Sequence, residues 1–198
     1  MNKRIKLSLI FGIICAMLLS MTQFSVLCDD LRENILRLHI IANSDSTEDQ
    51  ALKLKIRDTI LNETGDLFLG VTELENAEKQ ASEHIDEFTQ IANRVIKENG
   101  FDYSANVTLG DCFFETREYE TFTLPAGNYR SLIIELGKAE GKNWWCVIFP
   151  SVCIPAASSG DLRDSTDEKS AEVAENSDQY IVKFKAVEIY EKIKNWFN

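Results

Sequence analysis

Hydrophobic and polar positions change their period several times along this chain, and each change marks an element. Leu7 to Leu27 contains no charged residue. A run of that length is about what a spanning helix needs, roughly 20 residues, and Lys3, Arg4 and Lys6 stand ahead of it. Residues 1–28 therefore read as an export signal or a membrane anchor. The basic residues hold the amino terminus in the cytoplasm while the remainder is translocated. Ser20-Met21-Thr22 is the best approach to a small-x-small cleavage site, so removal and retention of the segment both stay open. Asp29 to Ile35 is polar and reads as a link to the folded part.

From Leu36 to Ala42 apolar and polar residues alternate, with Leu36, Leu38 and Ile40 on one face and Arg37, His39 and Ile41 on the other, which predicts a strand. Ser46 is placed to cap a helix running to about Asn62, with Asp49 completing the capping pattern. A second, longer helix is predicted from Thr72 to Gly100, carrying Ala77, Ala81, Ile85, Phe88, Ile91 and Val95 on one stripe. Alternation returns at Tyr103 and predicts a strand to Leu109, a turn at Gly110-Asp111, and a charge-dotted strand from Cys112 to Thr123.

Leu124 to Cys153 then reads as a β-hairpin: Tyr129 to Leu136, a loop at Gly137 to Gly141, and Asn143 to Phe149 stopped by Pro150. Trp144, Cys146 and Ile148 make one side of the second strand apolar, and Trp145, Val147 and Phe149 the other. Such a strand either lies inside a sheet covered on both sides or keeps one face for a partner. Residues 156–178 are rich in Ser, Asp, Glu and Ala and predict a mobile acidic insert. Tyr180 to Asn198 predicts a short strand merging into a helix. The fold class expected is α+β: a mainly antiparallel sheet with two long helices on one face and a C-terminal helix, all within one exported domain of residues 29–198.

Charge narrows the partners. The chain has 21 Lys and Arg against 32 Asp and Glu, a formal net charge of −11, which excludes nucleic acid as a partner bound through bulk charge. Export makes a disulfide accessible, and Cys146 with Cys153 is the preferred pair because Pro150 and Ser151 can turn the chain between them; free thiols are the alternative. No metal is expected, since there are only two histidines, His39 and His84. Asn43, Asp45, Thr47 and Asp49 alternate oxygens as calcium ligands do, but helix capping accounts for them. His39 could serve as a base for Cys112 or Ser44, although a single strand histidine is more often structural. Glu115, Glu118 and Glu120 read as a solvated strand face. No catalytic residue and no cofactor is assigned. An exported signalling domain, an exported hydrolase of unfamiliar type and a structural envelope protein all remain in play.

Two stretches carry a resemblance. LRLHIIANSDSTEDQALKLKIRD (Leu36 to Asp58) and LPAGNYRSLIIELGKAEGKNWWCVIFPSVC (Leu124 to Cys153), with FKAVEIYEKIK near the end, resemble the stage II sporulation protein R family. The chain departs from that pattern at Ser151, where a second proline would be expected. The resemblance implies a non-enzymatic signal protein, made in the forespore of a sporulating bacterium and exported into the space between forespore and mother-cell membranes. It is either secreted or held in the membrane by residues 7–27 if they are uncleaved. Its implied partner is the membrane-embedded aspartic peptidase that processes the precursor of the early mother-cell sigma factor, sigma-E. The residues expected to contact that partner are Arg37, His39, Asn43, Asp45, Arg117, Tyr129, Arg130, Trp144 and Trp145. Core packing of the tryptophans and loop capping by Asn43 and Asp45 are the competing readings.

Overall fold

Alternation in Leu36 to Ile41 does form a strand, and it is the centre of the molecule's main sheet. The computed structural model describes residues 3–150 and 162–197. In it β1 (Leu36–Ile41), β2 (Ala105–Phe114), β5 (Gly127–Leu136) and β6 (Asn143–Phe149) form a four-stranded sheet in the order β2-β5-β1-β6. β1 runs parallel to β5, pairing Leu38 with Leu132 and His39 with Ile133. It runs antiparallel to β6, pairing His39 with Trp145 and Ile40 with Trp144. The class is α+β, and the sheet is mixed.

The expected hairpin is therefore not one. β1 inserts between β5 and β6, which flank it rather than pair with each other. The residues from Gly137 to Lys142 bridge two inter-strand spacings, roughly 10 Å. β6 is an edge strand of this sheet, not a central one, yet it is covered on both sides: Cys146 and Ile148 enter the core under the helices, and Val147 is fully buried on the other face.

Helices cover one face. α2 (Thr47–Thr64) begins at Ser46, whose hydroxyl accepts from the Asp49 amide at 3.1 Å, and buries Leu52, Ile56 and Ile60 at helical spacing. The second expected helix is two: α3 (Leu74–Glu83) and α4 (Ile85–Glu98), broken at His84, and its first residue follows Glu73 with no side-chain cap from Thr72. In α4 Phe88, Ile91, Ala92, Val95 and Ile96 make one buried stripe. Gly100, at φ +79°, ends it. These stripes meet Leu36, Leu38, Ile40, Leu132, Ile134 and Leu136 in one core. The expected turn at Gly110-Asp111 is absent, because β2 runs straight through it to Phe114. Beyond it only short pieces follow, β3 (Arg117–Glu118) and β4 (Thr123–Leu124), paired with each other.

That sheet and its helices make one compact unit, Glu33–Phe113 with Asn128–Thr166. A second unit comprises Met1–Arg32, Phe114–Gly127 and Asp167–Asn198. Its long helix α1 (Lys3–Glu33) runs through the stretch expected to be a polar link. One helix, Arg4–Glu33, is long and apolar enough to cross a membrane, and its residues up to Leu19 leave Leu7, Ile10, Phe11, Ile14 and Leu18 exposed. The last turns of α1 behave differently. Phe24 and Cys28 are buried against Val173 of α5 (Glu168–Glu175) and Phe184 and Val187 of α6 (Ile181–Phe197). Phe24 meets Phe184 edge-on at 5.1 Å and stacks on Tyr180 at 5.7 Å. Arg32 donates to the Ala126 carbonyl at 3.0 Å and pairs with Asp29.

Of the stretch expected to be a mobile acidic insert, residues 156–161 lie outside the described residues, and the remainder carries α5 with the 3-10 turns Leu162–Asp164 and Ser177–Gln179 at its two ends. The signal missed there is small: Ala171 and Ala174 are fully buried, and a helix built on alanines needs few large side chains to pack closely. The strand expected to follow Tyr180 is likewise the first turn of α6, which begins at Ile181.

Candidate functional site

β1 ends at Ile41, and the next four residues decide how the site is held. Asn43 and Ser44 both donate to one carboxylate oxygen of Asp49, Asn43 at 2.8 Å, while the Tyr103 hydroxyl donates to the other at 2.6 Å. Burial alone would raise the Asp49 carboxyl. The donors Ser44, Tyr103 and Asn43 outweigh it and hold the carboxyl below its ordinary 3.8. The same loop grips the β5–β6 connection. Asn43 accepts from the Lys138 amide at 3.0 Å, Asp45 accepts from the Lys142 amide at 2.7 Å, and Lys53 donates to the Lys142 carbonyl at 2.7 Å. Two glycines permit the contact. A Cβ on Gly141 would stand 2.3 Å from the Ser44 carbonyl oxygen, and one on Gly137, at φ +57°, 2.3 Å from Asn43 Oδ1.

The sheet face away from the helices carries the chemistry. Arg37, His39 and Ile41 of β1 register there with Ser131, Ile133 and Glu135 of β5 and with Val147, Trp145 and Asn143 of β6. Arg37 is fully buried, its guanidinium 4.9 Å above the Tyr129 ring. His39 sits between two partners: Nε2 lies 3.0 Å from Asn143 Oδ1, and Nδ1 lies 3.4 Å from Cys112 Sγ. Burial lowers the imidazole below its ordinary 6.5. Burial raises the Cys112 thiol above its ordinary 9.0, against the pull of the Arg37 charge. Both groups are thus neutral near pH 7. The Trp145 ring centre stands 6.1 Å from that of His39.

Of the residues expected to contact a partner, Arg37, His39, Tyr129 and Trp145 come together on this face. Asn43 and Asp45 are committed to the loop clamp at its end. Trp144 is on the helix side, half-buried, with Arg57 stacked 4.3 Å over its ring. Arg130 pairs with Glu78 at 3.2 Å and Asp111 at 3.7 Å. Arg117, exposed on β3, lies in the other unit, where Glu115 pairs with Lys192 at 2.7 Å. The preferred disulfide falls on Cys153, which lies outside the described residues; Cys146 is buried in β6. Among the described residues no group of three His, Cys, Asp or Glu is placed to hold a metal ion. Two functional side chains escaped the sequence reading. Asn143 meets His39 from 104 residues away and Asp49 takes the Tyr103 hydroxyl from 54 away, contacts that local spacing does not signal.

The family model for stage II sporulation protein R matches residues 32–159, a span that contains the loop clamp and the whole sheet. Stage II sporulation protein R of Bacillus subtilis (strain 168) is 34% identical over 139 residues, covering 70% of this chain. The match spans 62% of that relative's own length. No solved structure matches the chain. With the NSDS loop and the NWWC strand joined in one site inside the matched span, the chain belongs to the stage II sporulation protein R family.

Proposed function

We propose that this protein is an exported sporulation signal that activates a membrane-embedded aspartic peptidase, and so triggers processing of the sigma-E precursor in the mother cell. The observation that carries the reading is the family match over residues 32–159, joined to an amino-terminal helix of the kind that exports or anchors a chain. The protein acts as a ligand. A ligand shifts its receptor only by binding the active form more tightly than the inactive one. The contact surface is the sheet face bearing His39, Asn143 and Trp145, where polar groups and a half-buried tryptophan sit on a rigid frame. The peptidase meets it in the space between forespore and mother-cell membranes.

The test is co-expression with the peptidase and the sigma-factor precursor in a non-sporulating host, with precursor length read on a gel. The full chain should shorten the precursor, and a chain lacking residues 1–23, which keeps Phe24 and its core partners, should not. Trp145→Ala should weaken shortening while the protein remains folded. Full shortening by a non-exported chain, or none by an exported folded one, would overturn the reading.

A further inference from the structure

His39 has the two neighbours that turn an imidazole into a general base. Asn143 Oδ1, at 3.0 Å, accepts from Nε2 and so fixes the tautomer in which Nδ1 carries no proton. Nδ1 then faces the Cys112 thiol at 3.4 Å, a separation suited to taking its proton. The three residues come from three strands, β2, β1 and β6, which share one sheet. Cys112 is half-buried and Asn143 exposed, so the group opens to solvent from one side while His39 is enclosed. A nucleophile, a base and an orienting amide in this order make up a recurring arrangement of thiol acyl transfer.

We propose that Cys112, His39 and Asn143 form an acyl-transfer centre whose substrates are activated carbonyls, esters or thioesters. Cys112 Sγ adds to the carbonyl carbon as its proton passes to His39 Nδ1. The carbon–oxygen or carbon–sulfur bond of the donor breaks, and the leaving group takes the proton from His39. The acyl group is then a thioester on Cys112, and water, deprotonated by His39, releases it as a carboxylic acid and restores the thiol. Nothing is oxidised or reduced. The neutral thiol and neutral imidazole are the form that needs this base, and a thiol so held favours activated carbonyls over amides. The Arg37 charge on the same face helps the thiolate as it forms.

The experiment uses the full chain in detergent micelles with p-nitrophenyl acetate as the probe. The expected result is a burst of p-nitrophenolate and one acetyl group, mapped by peptide mass to Cys112 and absent in Cys112→Ala. His39→Gln should slow acetylation of Cys112 by about 100-fold. Asn143 is a positioning residue, and Asn143→Ala should slow the step by about tenfold. It should also displace the pH profile, which in the native protein follows His39 as it loses its proton. The charged and titratable groups facing that histidine are Arg37 on its own strand, Glu135 on β5 and Cys112 on β2; β6 contributes the uncharged Asn143 and Trp145. Acetyl groups on Cys15 or Cys28 instead, or a Cys112 rate unchanged in His39→Gln, would sink the proposal. Should His39→Gln fail to fold, Asn143→Ala decides it, since an unchanged rate and pH profile there would also overturn it. Failure leaves the signalling reading intact, because that is scored by precursor shortening.

Discussion

The Tyr103 hydroxyl donates to Asp49 Oδ1 at 2.6 Å, tying the approach to β2 to the first turn of α2. Asp49 is the buried hub of the loop that follows β1, and three side-chain donors converge on it. Replacing it by alanine strands Asn43, Ser44 and Tyr103 together and removes an acceptor from charge-assisted hydrogen bonds. Asp49→Ala should cost on the order of 3 kcal/mol of stability. A urea melt followed by tryptophan fluorescence should show a lower midpoint with an unchanged slope. A midpoint equal to that of the native chain would mean the loop is held by its other contacts.

The same carboxylate sets a pH dependence whose sign follows from its direction of shift. Asp49 titrates below its ordinary 3.8 in the folded protein, so the folded state favours the charged form. Its contribution is complete above about pH 4, is lost as pH falls through the folded value, and is not lost on the alkaline side. Asp49→Asn removes the titration. Between about pH 5 and pH 2 the native chain should lose more stability than Asp49→Asn does, measured as the difference of urea midpoints at each pH. Parallel curves would assign the acid sensitivity to other carboxylates.

Gly141→Ala tests the clamp from its other side. The added methyl group would meet the Ser44 carbonyl at 2.3 Å, a backbone atom that cannot swing away. Either the Gly137 to Lys142 connection or the NSDS loop must shift, at a cost of about 2 kcal/mol. Amide hydrogen exchange should quicken at Lys138 and Lys142, whose amides bond to Asn43 and Asp45. Exchange confined to its native rates would show that the loop absorbs the methyl group.

Local signals were legible where neighbours in sequence are neighbours in space. The Ser46 cap, the buried stripe of Leu52, Ile56 and Ile60, and the alternation in β1 all follow from spacing alone. The insertion of β1 between β5 and β6 did not, because a parallel pairing of Leu38 with Leu132 leaves no mark in either segment. From that one topological fact follows the rest of the site: His39 meets Asn143 only because β6 lies beside β1. The sequence allows His39 either Cys112 or Ser44 as a partner, and nothing local separates the two. The alanine-built α5 was illegible for another reason, since its packing depends on close approach rather than on large apolar side chains.

α1 divides into an exposed apolar part and a buried part, and a truncation series separates them. Up to about Leu19 its apolar side chains are exposed, as a membrane-crossing segment requires, whereas Phe24 and Cys28 are 2% and 0% exposed in the core of the second unit. Arg32 adds a polar lock: it donates to the Ala126 carbonyl, and a Cβ on Gly127, at φ +149°, would stand 2.4 Å from its Nε. Cutting the chain before Phe24 leaves these contacts in place. Cutting it before Glu33 removes the core partners of Phe184 and Val187 and should cost several kcal/mol, as the loss of even one large core side chain costs about 3–5. The chain beginning at Phe24 should therefore keep α6 protected from limited proteolysis, while the chain beginning at Glu33 should be cut within α6. Processing of the native protein should accordingly fall ahead of Phe24 or not occur, which the mass of its mature amino-terminal peptide reads directly. A mature terminus at Asp29 with α6 still protected would show that the unit holds together without the helix.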